Sequence, residues 1–368
     1  MGALQYIFPW FTTSSGGGGG SVSATSGGFI YPDTQFGPGE TDLILSNSGW
    51  YNPRIFNAGD LVMSRGINEH GELAFDLAID DMVGYVARPD RLRRKWVKWT
   101  HPDLGPWIGR IVDARPDANN GVIDCKAVGF TWIMRRRVVP KQARLMTGPP
   151  GALVTQALKL VSREEPLPIK GVDADEEGSP ITYELRGQQL DAVIRALQSR
   201  SNQEWYLDPD TQRFTWRTEY GVDRRHEVNL VDGVHISSYT PYFSLEGVTN
   251  ALHAQPEDDR YAAARSFWVE RTESIDEYGR LEESVSYPGS VTRATVQPIA
   301  RRDLLRRSRR GRTLTIRVVN HDRVFSLFGI GDTVTVTLSR INYVTPFRVL
   351  VQSYRHDTRE LTCTGIVP

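Results

Sequence analysis

Two His-Asp dipeptides, His321-Asp322 and His356-Asp357, hold the residue types that ligate divalent metals or relay protons. Both fall at strand edges or turns without a second ligand one helical turn away, so the spacing favours solvated turn residues over a metal site. Three adjacent carboxylate pairs, Asp80-Asp81, Glu164-Glu165 and Glu282-Glu283, carry the groups that a glycosidase places on either side of a sugar bond. Neighbours in a strand point to opposite faces, so these pairs read as wet edges. The chain contains no G-x-x-x-x-G-K-[ST], no G-x-S-x-G and no H-E-x-x-H. Three large enzyme classes thereby lose their usual signature. No catalytic residue, metal or cofactor is expected.

Basic and aromatic residues offer other chemistry. The run "RRDLLRRSRRGR", Arg301 to Arg312, carries seven arginines and one aspartate, a patch able to meet phosphate or RNA. It lacks interleaved aromatics for base stacking, and its apolar residues match a helix docked on a sheet. Arg301, Arg306 and Arg309 then lie on a solvated or subunit-contacting face, with nucleic acid the minority reading. Trp96, Trp99 and Trp107 are close enough in sequence to suggest a sugar-binding platform, although tryptophan in small barrels is more often core. Cys125 and Cys363, both in strand-like runs, read as buried free thiols rather than a disulfide or zinc pair.

The whole chain sets wider bounds. Its 368 residues suit about two or three domains at roughly 150 residues each. Lys and Arg total 44 and Asp and Glu total 44, so no net field argues for nucleic acid or membrane as the main partner. The apolar opening "MGALQYIFPWF" lacks a positive n-region, and Pro9 interrupts it. No window reaches the roughly 18 apolar residues of a membrane span, so no membrane anchor is expected and the chain reads as soluble or as part of a soluble assembly.

The elements that must position these residues follow from periodicity. Residues 1–49 form a Gly-rich arm, with "TTSSGGGGGSVSATSGG" as a conformable tether behind an apolar cluster that includes Leu4, Tyr6, Phe8, Trp10 and Phe11. Residues 50–140 form a meander of short strands most simply closed as a small barrel. Its surest part is a hairpin within Leu104 to Val139, where "DANNG" places Asn119, Asn120 and Gly121 at positions needing φ > 0. Ile123, Cys125 and Ala127 alternate there with Asp124 and Lys126, and the strand runs on into "FTWIM" and "RRR". Residues 141–225 form a mixed α and β unit. One helix has the stripe Leu153, Val154, Ala157, Leu158 and Val161, a second has Leu190, Val193, Ile194 and Leu197, and "EWYLDPDTQRFTWRT" makes a hairpin. Residues 226–368 return to strands as a second barrel, with one inserted helix near Val296 to Arg310 that turns Ile299, Ala300 and Leu304 inward. The fold class is β-rich α+β, two small β-barrel-like domains flanking a mixed α/β unit behind a Gly-rich N-terminal arm.

The order of elements carries a resemblance. "NAGDLVMSRG", "AFDLAIDD", "GPWIGRIVDARP" and "VIDCKAVGFTWIMRRRVV" are followed by "ALVTQALKLV" and "LDAVIRALQSRSNQEWYLD". Then come "YGVDRRHEVNL", "VTNALHA", "YGRLEESVSYP" and "GIGDTVTVTLSR". Over about Trp50 to Pro368 this series resembles the baseplate hub or tail-tip hub proteins of tailed bacteriophages, also described as minor tail proteins. The resemblance implies a homotrimeric ring in the virion, each subunit giving two similar barrels so that three chains present a pseudo-sixfold face. That face would stack on the tail tube or distal tail protein, while the other side receives a spike, fibre or tape-measure protein and DNA only passes through the channel. The paired strand openings Gly59-Asp60 and Gly331-Asp332 are consistent with two related barrels.

Within that frame the barrel rim Trp132, Met134, Arg135, Arg136 and Arg137 is expected to face a neighbouring protein, since arginine and aromatics are enriched at such contacts. A core tryptophan beside solvated arginines is the alternative. The arm is expected to thread along an adjacent subunit or tail protein with its aromatics as anchor, or else to fold back on its own barrel. The function expected is a non-enzymatic structural hub. A cell-wall glycosidase or peptidase, and a carbohydrate-binding adhesin, are the rivals.

Overall fold

The computed structural model describes residues 42–46, 54–80, 89–140, 145–164, 167–178, 180–245, 247–256, 266–287, 293–308 and 312–367. Its first strands are β1 (Asp42–Ser46), β2 (Arg54–Gly66), β3 (Glu72–Ala78), β4 (Trp96–His101), β5 (Gly105–Asp117) and β6 (Val122–Gly129). β1 pairs with both β2 and β4, so the neighbour path β1–β4–β5–β6–β3–β2 returns to β1. The expected alternation holds in β6, where Ile123, Cys125 and Ala127 are buried while Asp124 and Lys126 are exposed, and β3 alternates likewise with Leu73, Phe75 and Leu77 buried. The β5–β6 turn departs from expectation. Only Gly121 takes a positive φ (+68°), because the Asp117 carboxylate accepts hydrogen bonds from the Asn119 and Asn120 backbone N–H groups at 3.0 and 3.3 Å and organises the turn from its side chain.

The middle unit contains β7 (Leu145–Gly148), α1 (Pro150–Glu164), β8 (Gly171–Ala174), β9 (Ile181–Glu184), α2 (Leu190–Ser201), β10 (Glu204–Leu207) and β11 (Arg213–Arg217). Both predicted helical stripes are buried, and β10 and β11 form the predicted hairpin, with β8 added parallel to β11. These faces share one core with Trp205, Phe214 and Trp216 at its centre.

The last third holds β12 (Asn229–Val231), β13 (Ile236–Phe243), β14 (Ala251–Pro256), β15 (Phe267–Glu270), α3 (Thr272–Tyr278), β16 (Glu282–Tyr287), α4 (Arg293–Arg307), β17 (Arg312–Val319), β18 (Thr333–Leu338), β19 (Tyr343–Arg355) and β20 (Glu360–Ile366). Two findings correct the expectation of two separate barrels. First, β19 pairs with β2, so strands of both regions belong to one 12-stranded sheet and share one apolar core. Length explains this: β2 has 13 residues, so one stretch pairs with β1 near Ile55 and another with β19 from Val62 to Gly66. Second, the insertion is more than a helix. β14, β15 and β16 form their own sheet, which with Val296, Ile299, Ala300 and Leu304 of α4 makes a third core.

One cross-strand pair in this sheet works against stability. Asp76 of β3 lies directly opposite Asp124 of β6. Burial, then the charges of Asp124 and Asp60, push the Asp76 carboxyl above its ordinary value. A native value above the unfolded one means a penalty that is absent in acid, grows as pH rises through the unfolded value and persists above the native one. Asp124→Asn is therefore expected to stabilise the protein at neutral pH by about 0.5 kcal/mol, with the gain vanishing below the carboxylate range. Urea titrations at neutral and acid pH check both parts.

Candidate functional site

A cleft of about 440 Å³ opens where the β10–β11 hairpin meets the large sheet, lined in part by Arg65, Tyr206, Tyr220 and Asp332. Behind the lining residue Tyr220, Glu204, the first residue of β10, accepts two hydrogen bonds from Arg348 of β19, Nη1 to Oε1 at 3.0 Å and Nη2 to Oε2 at 2.6 Å. Arg348 Nη2 also donates to the Tyr220 carbonyl at 2.8 Å, and the Tyr220 N–H donates to Glu204 Oε2 at 2.9 Å. Both charged residues are buried. Burial disfavours the charge on Arg348, but the hydrogen bonds from it to Glu204 and the Glu204 and Glu219 charges outweigh that, so the guanidinium is held more firmly protonated than usual. Arg306 of α4 completes the joint, 3.6 Å from Glu204 and 3.3 Å from Asn202 Oδ1. One carboxylate thus ties the middle unit to the large sheet and to the inserted helix.

The cleft walls are equally committed. Arg65 donates Nε and Nη2 to Gln352 Oε1 at 3.0 and 2.8 Å and Nη1 to the Leu104 carbonyl at 2.9 Å. The Tyr206 and Tyr220 rings lie 4.9 Å apart, and burial raises both phenols, which keeps them protonated and removes them as bases. Asp332 accepts from the Val222 N–H at 2.8 Å, from Arg224 Nε at 2.9 Å and from the Gly329 N–H at 2.9 Å. Gly331 beside it has φ +85°, and a Cβ there would sit 2.4 Å from the Tyr220 carbonyl. Asp60, the counterpart in the first "GD" opening, is exposed, so the two openings are not equivalent.

A second cluster joins the β2–β3 turn to α2. Thr131 Oγ1 lies 2.9 Å from His70 Nδ1, and His70 Nε2 lies 3.2 Å from Asp191 Oδ1. Arg195 Nε and Arg135 Nε approach Asp191 Oδ2 at 3.0 and 3.6 Å. Hydroxyl, imidazole and carboxylate in series are the parts of a nucleophilic triad. Thr131 is 5% exposed and lines a small crevice with His70, and the series joins the β2–β3 turn to α2 as a clamp. Burial alone would raise the Asp191 carboxyl, yet the hydrogen bonds from His70 and Arg195 prevail and hold it at about 2.

The residues expected at an interface are dispersed. Leu4, Tyr6, Phe8, Trp10, Phe11 and Arg309 lie outside the described residues. The segment predicted to extend the strand after Gly129 is instead a 3-10 turn, Phe130–Arg136. That turn points Met134 into the middle core at 0% exposure, so Met134 is a core residue and not a rim residue. Arg135 faces Asp191, and Arg137 Nη2 donates to the Val161 carbonyl of α1 at 3.1 Å. Arg136 lies over the half-buried Trp132 at 4.9 Å and stays exposed. Arg301 is exposed, whereas Arg306 is engaged at the joint described above. Trp96, Trp99 and Trp107 are buried, and Trp99 stacks on Tyr354 at 5.6 Å, which removes the sugar platform. Cys125 and Cys363 are buried free thiols. Among the described residues no group of three or more His, Cys, Asp or Glu could hold a metal ion.

No protein-family model matches the chain, and neither does any curated protein. Solved structures do. A prophage tail protein from Listeria monocytogenes matches with a TM-score of 0.60 at 13% identity, over 88% of this chain and 94% of that one. A 43 kDa tail protein of prophage MuSo2 from Shewanella oneidensis gives 0.64 at 13% identity, over 89% and 96%. A tail protein from Neisseria meningitidis gives 0.63 at 13% identity, over 88% and 96%. The chain has the fold of these tail proteins.

Proposed function

We propose that this protein is a structural component of a phage tail, acting at the tail tip or baseplate as a hub. The observation that carries the reading is the fold likeness to three tail proteins over nearly the full length of both partners in each comparison. The interior supports it. Glu204 and Arg348 spend their hydrogen bonds joining the middle unit to the large sheet, and Thr131 is buried against His70. Rigid joints of this kind suit a load-bearing role better than turnover. In this reading three copies form a ring, join a sixfold tube or distal tail protein to a threefold spike, fibre or tape-measure protein, and leave a channel for DNA.

Native mass spectrometry of the purified chain tests it. A trimer is expected, with ring-shaped particles by negative-stain microscopy. A monomer that stays monomeric as concentration rises, and in the presence of candidate tail partners, overturns the hub reading.

A further inference from the structure

A second cavity, about 260 Å³, lies where α1, α2 and α4 converge, far in sequence from the cleft described above. Its walls include Pro150 at the start of α1, Arg200 and Ser201 at the end of α2, and Pro298, Ile299 and Arg302 of α4. We propose that this cavity binds a small oxyanion, held by the guanidinium groups of Arg200 and Arg302 and by the Ser201 hydroxyl.

Three observations lead there. Two arginines from different elements face one cavity whose described lining contains no acidic side chain. On the same helices Arg195 pairs with Asp191, Arg306 with Glu204, and Arg307 with Asp303 and Glu283, while the exposed Arg301, outside the cavity, is unpaired among the described residues. Arg302 has no such partner among the described residues, and Arg200 lies over the Tyr183 ring at 4.9 Å, a contact that uses its face and leaves its N–H edge available. Finally, Ser201 is 7% exposed and its Oγ accepts from the Gln203 N–H at 3.3 Å, so its own proton has no acceptor among the described residues.

Two like charges in one cavity repel, and a bound anion relieves the repulsion while accepting from both forks. The volume admits an anion with several waters, at roughly 30 Å³ for each water. The same donor set takes a free phosphate or a carboxylate presented by an acidic segment of a neighbouring protein; the second source rests on the assembly role proposed above.

Calorimetric titration of the full chain with inorganic phosphate, and separately with a capped Glu-rich peptide and its Gln counterpart, tests the site at constant ionic strength. Saturable binding of phosphate or of the Glu peptide is expected, weakened about tenfold or more in Arg302→Gln and in Arg200→Gln. Arg301→Gln, at a residue exposed as Arg302 is but outside the cavity, is expected to bind as the parent does. The source is read from which probe saturates first: the Glu peptide indicates a protein partner, phosphate a free anion. Absence of saturation by both probes, binding unchanged in Arg302→Gln, or equal binding of the Gln peptide overturns the proposal. A monomer by native mass spectrometry would overturn the hub reading while leaving phosphate binding to stand or fall alone.

Discussion

Glu204→Ala is expected to lower stability by about 3–5 kcal/mol, because it leaves the Arg348 guanidinium buried without its bidentate partner. The geometry favours the lower part of that range, since Glu219 Oε1 remains 3.1 Å from Arg348 Nε and is exposed enough to be only a weak substitute. The loss should be uneven across the molecule. Glu204 also accepts the Tyr220 N–H and faces Arg306, so the β10–β11 hairpin and α4 both lose a tether to the large sheet. Hydrogen exchange is expected to rise there before it rises in β5 and β6. The double variant Glu204→Leu/Arg348→Met is expected to recover part of the loss, since an apolar pair avoids the desolvation cost of two buried ions but leaves the Tyr220 N–H and carbonyl without these partners. Urea midpoints with an unchanged slope measure both values. A single variant within about 1 kcal/mol of the parent would show that water or Glu219 satisfies Arg348, and that the joint is not what holds the three cores together.

The same joint shows what sequence reading reaches. Periodicity is a local signal, and where one face of an element is apolar it was legible: the stripes of α1 and α2, the alternation of β6, and the β10–β11 hairpin all form as expected. Arg348 in β19 was not legible, because a polar residue on the second face of a strand reads as solvated. Here Glu204 and Tyr220 of the middle unit cover it, so it is buried. Met134 misled for a related reason. Aromatic and basic residues after a strand suggest a rim, but a 3-10 turn rotates Met134 inward and sends Arg137 to the Val161 carbonyl. The sharing of β2 between β1 and β19 leaves no trace in alternation, which is the same whichever strand lies alongside. An early signal did exist for the joint: a lone arginine within the apolar run "PFRVLVQ" invites the question of which carboxylate meets it.

Asp191→Ala is expected to cost about 2–4 kcal/mol at neutral pH, and its pH profile identifies the cause. The carboxylate receives contacts from His70, Arg195 and Arg135, and His70 in turn bonds Thr131, so its removal unpairs the β2–β3 turn from α2 and from the 3-10 turn. Arg135 and Arg195 are about half exposed and regain water when released, which keeps the cost below that of stranding Arg348. The native carboxyl, held at about 2, lies below the ordinary aspartate value. A depressed native value gives stability that is present above the unfolded value and is lost as pH falls from there through about 2. The parent should therefore lose on the order of 1–2 kcal/mol across that window from this group, and Asp191→Ala should lack that part of the acid slope. The two stability curves are expected to converge in acid and to run parallel above about pH 5. A constant gap at every pH would mean that Asp191 contributes packing alone, and that the Thr131–His70–Asp191 series is not an electrostatic clamp.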